Sequence, residues 1–401
     1  MRKLFEHKII RITIIVILAV MAAVSVYQGI RNALVFSQDF QWDAAKSLFL
    51  RVDPYDVSMG KTDALSQDLQ AFYDYYDSID APQRMEANQF PSLLMLLFPY
   101  TFLTQDTARI AWLITNLLCT AGIIVLLRKT FLRETDRFVF YVLVLLMLAG
   151  TPYRNQLGVG QHTLFSLFFF LLAVWLLEKK GGSIPAILCL AVSYFKYTLT
   201  GVLAIYLIYK KKWKELFCSV GIHIVLTGIA AISLQESFAN MLIKPLKVSS
   251  ALISEGGLDF GTLIGGSIAF IPAFLVMAGL LVLALKADTN GDGMLIAVLL
   301  LWSLIILYHR TYDFFALVLV AGAFAGNDQW KLKGTPEGKV TVFFYGLVLF
   351  MVFFVLRLFN EADWIRIVTG TVYYGYTIWM TILFIRYYLR NKEYDQNGNG
   401  K

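Results

Sequence analysis

The chain has 401 residues and a formal net charge of +7; 58% of its residues are hydrophobic and only 16% are charged. A soluble globular protein is nearer half apolar and a quarter charged, so this composition excludes an ordinary soluble domain. The positive charge does not indicate nucleic-acid binding, because the basic residues cluster in short loops rather than on one soluble face. Repeated apolar segments instead predict an all-α transmembrane bundle of about ten to twelve spans.

The first apolar run, residues 9–27, follows the basic residues Arg2, Lys3 and Lys8. It is longer than the apolar part of a usual signal peptide, so we expect an uncleaved first helix with its N-terminus in the cytoplasm. Residues 31–107 then form a large first extracytoplasmic loop. Its part from residue 31 to residue 88 holds ten of the 28 acidic residues and five basic ones. A loop of this length is usually functional.

Two later segments depart from simple spanning helices. Residues 90–103 are apolar but short and carry Pro91 and Pro99, which favours a re-entrant or interfacial segment within the first loop. Residues 184–209 have basic residues at both ends and are interrupted around Lys196. The positive-inside rule favours a hairpin of two short helices with Lys196 at its tip, and a single span stays open.

The remaining segments alternate between the two faces. They place a second extracytoplasmic loop at residues 235–262 and return the C-terminus to the cytoplasm. Residues 1–389 thus form one integral-membrane domain, residues 390–401 form a cytoplasmic tail, and a bacterial inner membrane is the expected location.

Features typical of metal or redox sites are weak. Cys119, Cys189 and Cys218 lie in or beside apolar runs without metal-ligand spacing, as small buried hydrophobes do. Residues 288–293 look like the start of a calcium-binding loop, but the required twelfth-position glutamate is replaced by Leu299. The sequence therefore predicts no metal site and no cofactor, and it leaves any need for a divalent metal open.

Two carboxylates follow the first helix directly. Asp39 and Asp43 are four residues apart, so on a helix they would share a face, with Trp42 beside them. Asp39 is the candidate catalytic base and Asp43 the second choice, and a solvated loop or helix cap is the alternative. Lys196 lies in an otherwise apolar stretch, where an ionisable residue indicates function unless it snorkels to the interface.

Further polar clusters fall on the same predicted outer side. Cations there can stabilise a leaving phosphate, a carboxylate can take the proton of an attacking hydroxyl, and aromatic faces suit sugar rings. This combination is what sugar transfer from a lipid phosphate requires. An internal Arg310–Asp313 ion pair is the structural alternative for one cluster, and Lys244 and Lys247 are weaker phosphate candidates. The clusters comprise Arg154, Gln161, His162, His309, Arg310, Tyr312 and Asp313.

In this order the residues resemble glycosyltransferase family 87. The resemblance rests on Asp39-Phe40 with Trp42 and Ala44-Ala45, Asp53-Pro54-Tyr55-Asp56, Phe90-Pro91-Ser92-Leu93, Gly160-Gln161, Lys196, and Tyr308-His309-Arg310 with Tyr312-Asp313. It implies a GT-C fold, a polyprenyl-phosphate sugar as donor, and Asp39 as the base in the first external loop. Ser92 stands where a second proline is common in the family.

The leading hypothesis is inverting transfer of a hexose, mannose by analogy, to a glycolipid or cell-surface glycan. A flippase for lipid-linked sugars and a glycan polymerase or ligase using a lipid-diphosphate donor are the alternatives. Arg310, Lys196 and Arg154 would bind the donor phosphate. The donor or acceptor would be positioned by His309, Tyr312, Trp42, Gln161 and His162.

Overall fold

The computed structural model describes residues 8–60, 67–78, 85–133, 135–179, 181–252, 257–265, 267–287, 292–320, 334–355 and 363–389. Its named elements are all helical. The α-helices are α1 Lys8–Val35, α2 Trp42–Phe49, α3 Pro54–Ser58, α4 Gln67–Ser78, α5 Pro91–Leu94, α6 Phe98–Thr101, α7 Gln105–Lys129, α8 Arg137–Ala149, α9 Thr151–Gly158, α10 Thr163–Leu177, α11 Ser183–Ser193, α12 Tyr197–Leu203, α13 Ile205–Tyr209, α14 Trp213–Ser233, α15 Phe238–Leu252, α16 Phe260–Ile264, α17 Phe270–Lys286, α18 Asp292–Ile306, α19 Pro336–Phe350 and α20 Asp363–Tyr388.

Six helices of the described residues are long and apolar enough to cross a membrane, and counting the bent pair α8–α9 as one span makes seven. The chain is therefore an all-α polytopic bundle, as predicted. The predicted ten to twelve spans also include helices of only 10–17 residues. These shorter apolar helices are Thr163–Leu177, Phe270–Lys286, Asp292–Ile306 and Thr311–Val320.

The core of the bundle is built around α18. From Met294 to Ile306 every residue is buried except Trp302, which is partly buried. A helix that is apolar all round must be covered on every side, and α12, α17 and α20 pack against it. By contrast, α1 exposes most of its apolar side chains, as expected of a helix that faces lipid.

The end of α1 is fixed by a buried arginine from α7. The guanidinium of Arg109 donates hydrogen bonds to the backbone oxygens of Leu34 (3.0 Å) and Val35 (2.6 Å). These carbonyls have no partner within the helix, and a cation also suits the negative end of the helix dipole. The cap sets the point at which the chain leaves α1 and turns toward residues 37–43.

The bundle has two chemically different ends. At one end lies the last turn of α1, followed by Asp39, and we call this the Asp39 end. At the opposite end the ammonium groups of Lys129 and Lys179 both lie over the ring of Trp175, at 5.6 and 5.2 Å from its centroid. Lys210 pairs there with Asp292.

Contacts at that opposite end support the predicted hairpin around Lys196. Ser183, at the start of α11, donates to Glu215 in the first turn of α14 at 2.9 Å. Lys210, after α13, is only three residues before α14. Both ends of the segment therefore lie beside the start of α14, although Ser183–Leu203 alone is long enough to span a membrane. The chain reaches the Asp39 end at Lys196 and turns back.

The apolar segment after the first loop is broken into short pieces. A 3-10 turn, Met95–Leu97, separates α5 from α6, and both helices carry a proline in their first turn. Pro91–Thr101 is too short to span a membrane, as expected from its length and its prolines. Its re-entrant or interfacial character stays a prediction. The predicted tail, residues 390–401, and residues 288–291 of the polar turn lie outside the described residues.

Candidate active site

Asp39 lies in a short 3-10 turn, Gln38–Phe40, directly after α1. The residues that flank this turn, Ser37 and Gln41, both have a left-handed backbone, with φ of 37° and 62°. Such conformations are costly for residues other than glycine and are retained where surrounding structure enforces them. The backbone that presents Asp39 is therefore held in place by its neighbours.

Those neighbours are the residues between α9 and α10. The backbone N–H of Asp39 donates to Val159 O at 2.8 Å, and the Nε2 atom of His162 lies 3.0 Å from Phe40 O. Gly160 has φ +69°, and a Cβ atom there would come within 3.1 Å of the Ser37 side chain. Only glycine fits this close approach without displacement, so Gly160 lets the two segments meet.

Gln161 carries this contact to the Asp39 side chain. Its Nε2 atom donates to Asp39 Oδ2 at 3.2 Å and to the hydroxyl oxygen of Tyr312 at 2.9 Å. Its Oε1 atom accepts from the backbone N–H of His162 at 2.8 Å, which fixes the orientation of the amide. The Tyr312 hydroxyl also donates to Asp39. Hydrogen bonds from Gln161 and Tyr312 therefore orient the carboxylate of Asp39.

Two cations act on the same carboxylate. Burial of the half-buried Asp39 raises its pKa to about 6, and attraction by Lys196 and then by Arg310 opposes the rise. Asp39 thus lies within electrostatic reach of both predicted phosphate ligands, as the sequence hypothesis requires. A carboxyl group with a raised pKa is a stronger base once it has ionised.

A second carboxylate, Asp313, organises the far side of the cluster. It is fully buried and accepts from Lys196 Nζ at 3.3 Å, from His309 Nδ1 at 2.7 Å, and from the Thr163 hydroxyl. A buried charge is tolerated when it is paired and hydrogen bonded in this way. The sequence left open an ion pair between Arg310 and Asp313, and in the structure it is Lys196 that pairs with Asp313.

His309 and Arg310 point to different partners. Because the carboxylate of Asp313 only accepts, His309 Nδ1 is the donor in this hydrogen bond. That Nε2 atom is buried and finds no hydrogen-bond partner in the described part of the chain. The Nε atom of Arg310 donates to the hydroxyl of Tyr308 at 2.6 Å, and its guanidinium lies 5.9 Å from the centroid of that ring.

The expectation that Asp39 and Asp43 share a helix face is wrong. The left-handed backbone of Gln41 prevents one continuous helix from including both residues, so Asp39 lies in the 3-10 turn and Asp43 in α2. Asp43 accepts from the backbone N–H of Ala44 at 2.8 Å, and burial raises its pKa to about 6. It lines a separate small cleft with Gln41 and Arg109.

The other predicted site residues serve partly to build the cluster. Trp42 is buried and donates to Tyr100 O at 3.0 Å. His162 is buried and stacks on Phe195, with a centroid distance of 4.2 Å. Arg154 donates to Gln28 of α1 at 3.0 Å and contacts its neighbour Asn155. Substrate contact by these three residues stays a prediction.

One group of carboxylates in the described residues is close enough to hold a metal ion. Oxygen atoms of Asp53, Asp56 and Glu236 lie within 4.8 Å of one another. The ammonium of Lys244 lies among them, at 2.6, 3.2 and 2.9 Å respectively. It thereby joins the loop after α2 to α15. Lys244, considered above as a phosphate ligand, is thus engaged by three acids.

Sequence reasoning missed two contributors to the cluster and the partner of a third. Thr163, in the first turn of α10, gave no sequence signal of its own, because its role depends on a contact 150 residues away. Trp112, in the middle of α7, donates to Gly160 O at 2.7 Å and stacks on Phe40. Asp313 was noticed as a neighbour of Arg310, but its partner Lys196 is remote in sequence.

The family model described as Glycosyltransferase family 87 matches residues 91–326. The match includes Gln161, Lys196 and Arg310, whereas Asp39 and Asp43 precede it. No curated protein and no solved structure matches the chain.

Proposed function

The chain belongs to glycosyltransferase family 87, and from that premise we propose that it transfers a hexose, mannose by analogy, from a polyprenyl-phosphate donor. The acceptor is a glycolipid or a cell-surface glycan on the extracytoplasmic face. The reaction inverts the anomeric centre and takes place at the Asp39 end of the bundle. Several apolar helices make the chain an integral membrane protein, and the basic opposite end is assigned to the cytoplasm by the positive-inside rule.

The observation that supports this most is that Asp39 lies close enough to Lys196 and Arg310 for both cations to attract its carboxylate. In the reaction, the oxygen of the acceptor hydroxyl attacks the anomeric carbon. The bond from that carbon to the phosphate oxygen breaks, and its electron pair leaves with the polyprenyl phosphate. Asp39 takes the hydroxyl proton as the attack proceeds. The cations face the leaving group, where negative charge develops.

The two cations contribute differently. Lys196 is held by Asp313 at 3.3 Å and lies 5.7 Å from the centroid of the Tyr312 ring, so its ammonium is positioned before any substrate arrives. Arg310 presents a planar guanidinium that can bind two phosphate oxygens together. Because Asp313 offsets the charge of Lys196, Arg310 supplies the larger share of net attraction for the phosphate.

The remaining residues position these groups. Gln161 and Tyr312 orient the carboxylate of Asp39, and His162 contacts the backbone oxygen of the next residue, Phe40. The buried Nε2 atom of His309 has no hydrogen-bond partner among the described residues, and we assign it to a hydroxyl of the sugar or of the acceptor. Trp42 supports this region through its hydrogen bond to Tyr100. Arg154 is assigned to the donor phosphate by the sequence pattern alone.

The test is transfer by purified protein in nanodiscs, with a radiolabelled polyprenyl-phosphate hexose and extracted membrane glycolipids as acceptors. Asp39→Asn keeps the shape of the side chain but cannot take a proton, and we expect it to reduce transfer at least a thousandfold. Asp43→Asn removes the second candidate base and should retain most activity. Asp77→Asn, on the exposed face of α4, controls for loss of charge alone.

The outcomes separate the competing functions. Full transfer activity of Asp39→Asn, together with loss of activity in Asp43→Asn, would identify Asp43 as the base. Transfer that occurs only with a lipid-diphosphate donor would indicate a polymerase or ligase. Movement of lipid-linked sugar between the leaflets of proteoliposomes without an acceptor would indicate a flippase.

A further inference from the structure

A second cleft lies at the Asp39 end, on the other side of α2. It encloses about 670 Å³ of space, its open mouth included, between α2, the broken segment α5–α6 and the last turns of α14. Eight of its ten described lining residues are apolar, and of the other two, Ser233 and Arg51, only Arg51 is charged. Residues from all three walls include Ala45, Leu48, Phe49, Leu94, Phe98 and Ala230.

The cleft opens toward the apolar exterior of the bundle. Phe49 and Phe98 pack edge to face at 4.8 Å on its wall, and each remains about two-fifths exposed, at 43% and 42%. Ile229 of α14 is 49% exposed. In a membrane-spanning chain we expect such side chains to contact lipid, which would make the cleft accessible from the surrounding bilayer.

Arg51 stands at a backbone position that favours glycine. It follows α2 with φ +62°, and its N–H donates to Leu48 O at 3.1 Å in the turn that ends the helix. Glycine is the usual residue at a left-handed position after a helix, because a side chain there is strained. The arginine therefore gives the backbone no advantage, and the presence of an exposed cationic residue in the lining of the cleft is the feature that remains to be explained.

The cleft is separate from the candidate active site. Ala45, Leu48 and Phe49 form one face of α2 at spacings of three and four residues. Asp43 is two residues before Ala45, which places it roughly 200° around the same helix. Helix α2 is thus a wall shared by two clefts, the polar one with Asp43 and the apolar one with Arg51.

We propose that the apolar cleft binds one anionic phospholipid of the bilayer, with an acyl chain between α2 and α14 and its phosphate on Arg51. A largely apolar slot with one cationic residue in its lining matches the acyl chain and the phosphate of such a lipid, and basic pockets between membrane helices bind anionic headgroups. Among the described residues that line the cleft, none has an acidic side chain that would repel the phosphate. The site does not depend on sugar transfer.

The experiment measures lipid retention directly. Protein reconstituted in nanodiscs of mixed phosphatidylglycerol and phosphatidylcholine is extracted into mild detergent, and retained lipids are counted by native mass spectrometry. We expect the wild-type protein to retain one phosphatidylglycerol in preference to phosphatidylcholine. Arg51→Gly should reduce that preference about fivefold. Because glycine suits the backbone there, its thermal midpoint should be unchanged or higher.

Two further variants test the location. Ala230→Leu fills the cleft from α14 and should reduce retention of both lipids. Arg31→Ala removes an exposed cation from the last turns of α1, outside the cleft, and should retain the lipid as the wild type does. Unchanged preference in Arg51→Gly, unchanged retention in Ala230→Leu, or an equal loss in Arg31→Ala would each overturn the proposal. Asp39→Asn should still retain the lipid, so failure of the transferase proposal would leave this result intact.

Discussion

Asp39 should reduce the stability of the folded protein at neutral pH, and removing its charge should restore that stability. Its pKa is raised from 3.8 to about 6, chiefly because burial disfavours the charged form. The unfolded chain therefore ionises Asp39 at lower pH than the folded protein does. Stability falls as pH rises from about 4 to about 6, and the full cost is present above that window.

The size of the cost follows from the shift. Each pKa unit corresponds to about 1.4 kcal/mol, so a rise of about two units gives about 3 kcal/mol. This is an upper value, because Asp39 is only half-buried and solvent screens part of it. Asn at this position keeps the shape, can still accept from Gln161 and never ionises. Asp39→Asn should therefore be more stable than the wild type at pH 8 and nearly equal to it at pH 4.

The assay is thermal unfolding in detergent, followed by intrinsic fluorescence, of wild type and Asp39→Asn across this pH range. We expect the difference in midpoint to grow from near zero at pH 4 to a few degrees at pH 8. Asp77→Asn, which removes an exposed carboxylate from α4, should show no such trend. A wild type as stable as Asp39→Asn at pH 8 would refute the reasoning, since burial would then carry no cost.

Other substitutions test the surrounding contacts. Lys196→Ala should reduce the initial rate of transfer by about a hundredfold or more, because one preorganised donor to the leaving phosphate is lost. It should also lower the midpoint of thermal unfolding, because Asp313 loses its ion pair. Gly160→Ala forces a methyl group within 3.1 Å of Ser37 at φ +69° and should cost about 1–2 kcal/mol, whereas Gly201→Ala meets nothing within 4 Å and should be mild. Lys244→Met leaves three carboxylates close together, so calcium should raise the midpoint of this variant and not that of the wild type.

Much of the fold and part of the site follow from local sequence. The apolar segments predict a helical bundle, and Asp39 is marked by its place directly after α1. The hairpin at Lys196 follows from the basic residues at both of its ends. Helix count is less certain from sequence, because helices of 15 residues such as α18 can be buried inside the bundle without the length of a span.

The site contacts that sequence did not predict are those between remote residues. An ion pair between Asp313 and Arg310, three residues away, was the local alternative, yet besides its neighbour His309 the partners of Asp313 are Lys196 and Thr163, each more than a hundred residues away. The helix is interrupted between Asp39 and Asp43 by the left-handed backbone of Gln41. Tertiary contacts, and not the propensity of glutamine, hold Gln41 in this conformation. Local spacing does not encode either effect.

The catalytic base can be identified by replacing a nearby charged residue that shifts the pKa of only one of the two candidate carboxylates. Attraction by Lys196 lowers the pKa of Asp39, whereas the pKa of Asp43 depends on burial, on backbone N–H groups and on Glu86. The dependence of kcat/KM on pH reports the free enzyme, so its acidic limb should have an apparent pKa of about 6. Either carboxylate would give that value in the wild type.

Lys196→Gln distinguishes the two carboxylates. Without the ammonium the pKa of Asp39 rises, so the acidic limb of the residual activity should move to higher pH if Asp39 is the base. It should stay in place if Asp43 is the base, because Lys196 is not among the groups that shift Asp43. The anionic donor should act in the same direction as loss of the cation. The limb of kcat, which reports the enzyme–substrate complex, should therefore lie at higher pH than that of kcat/KM, and the reverse order would contradict a phosphate bound beside Asp39.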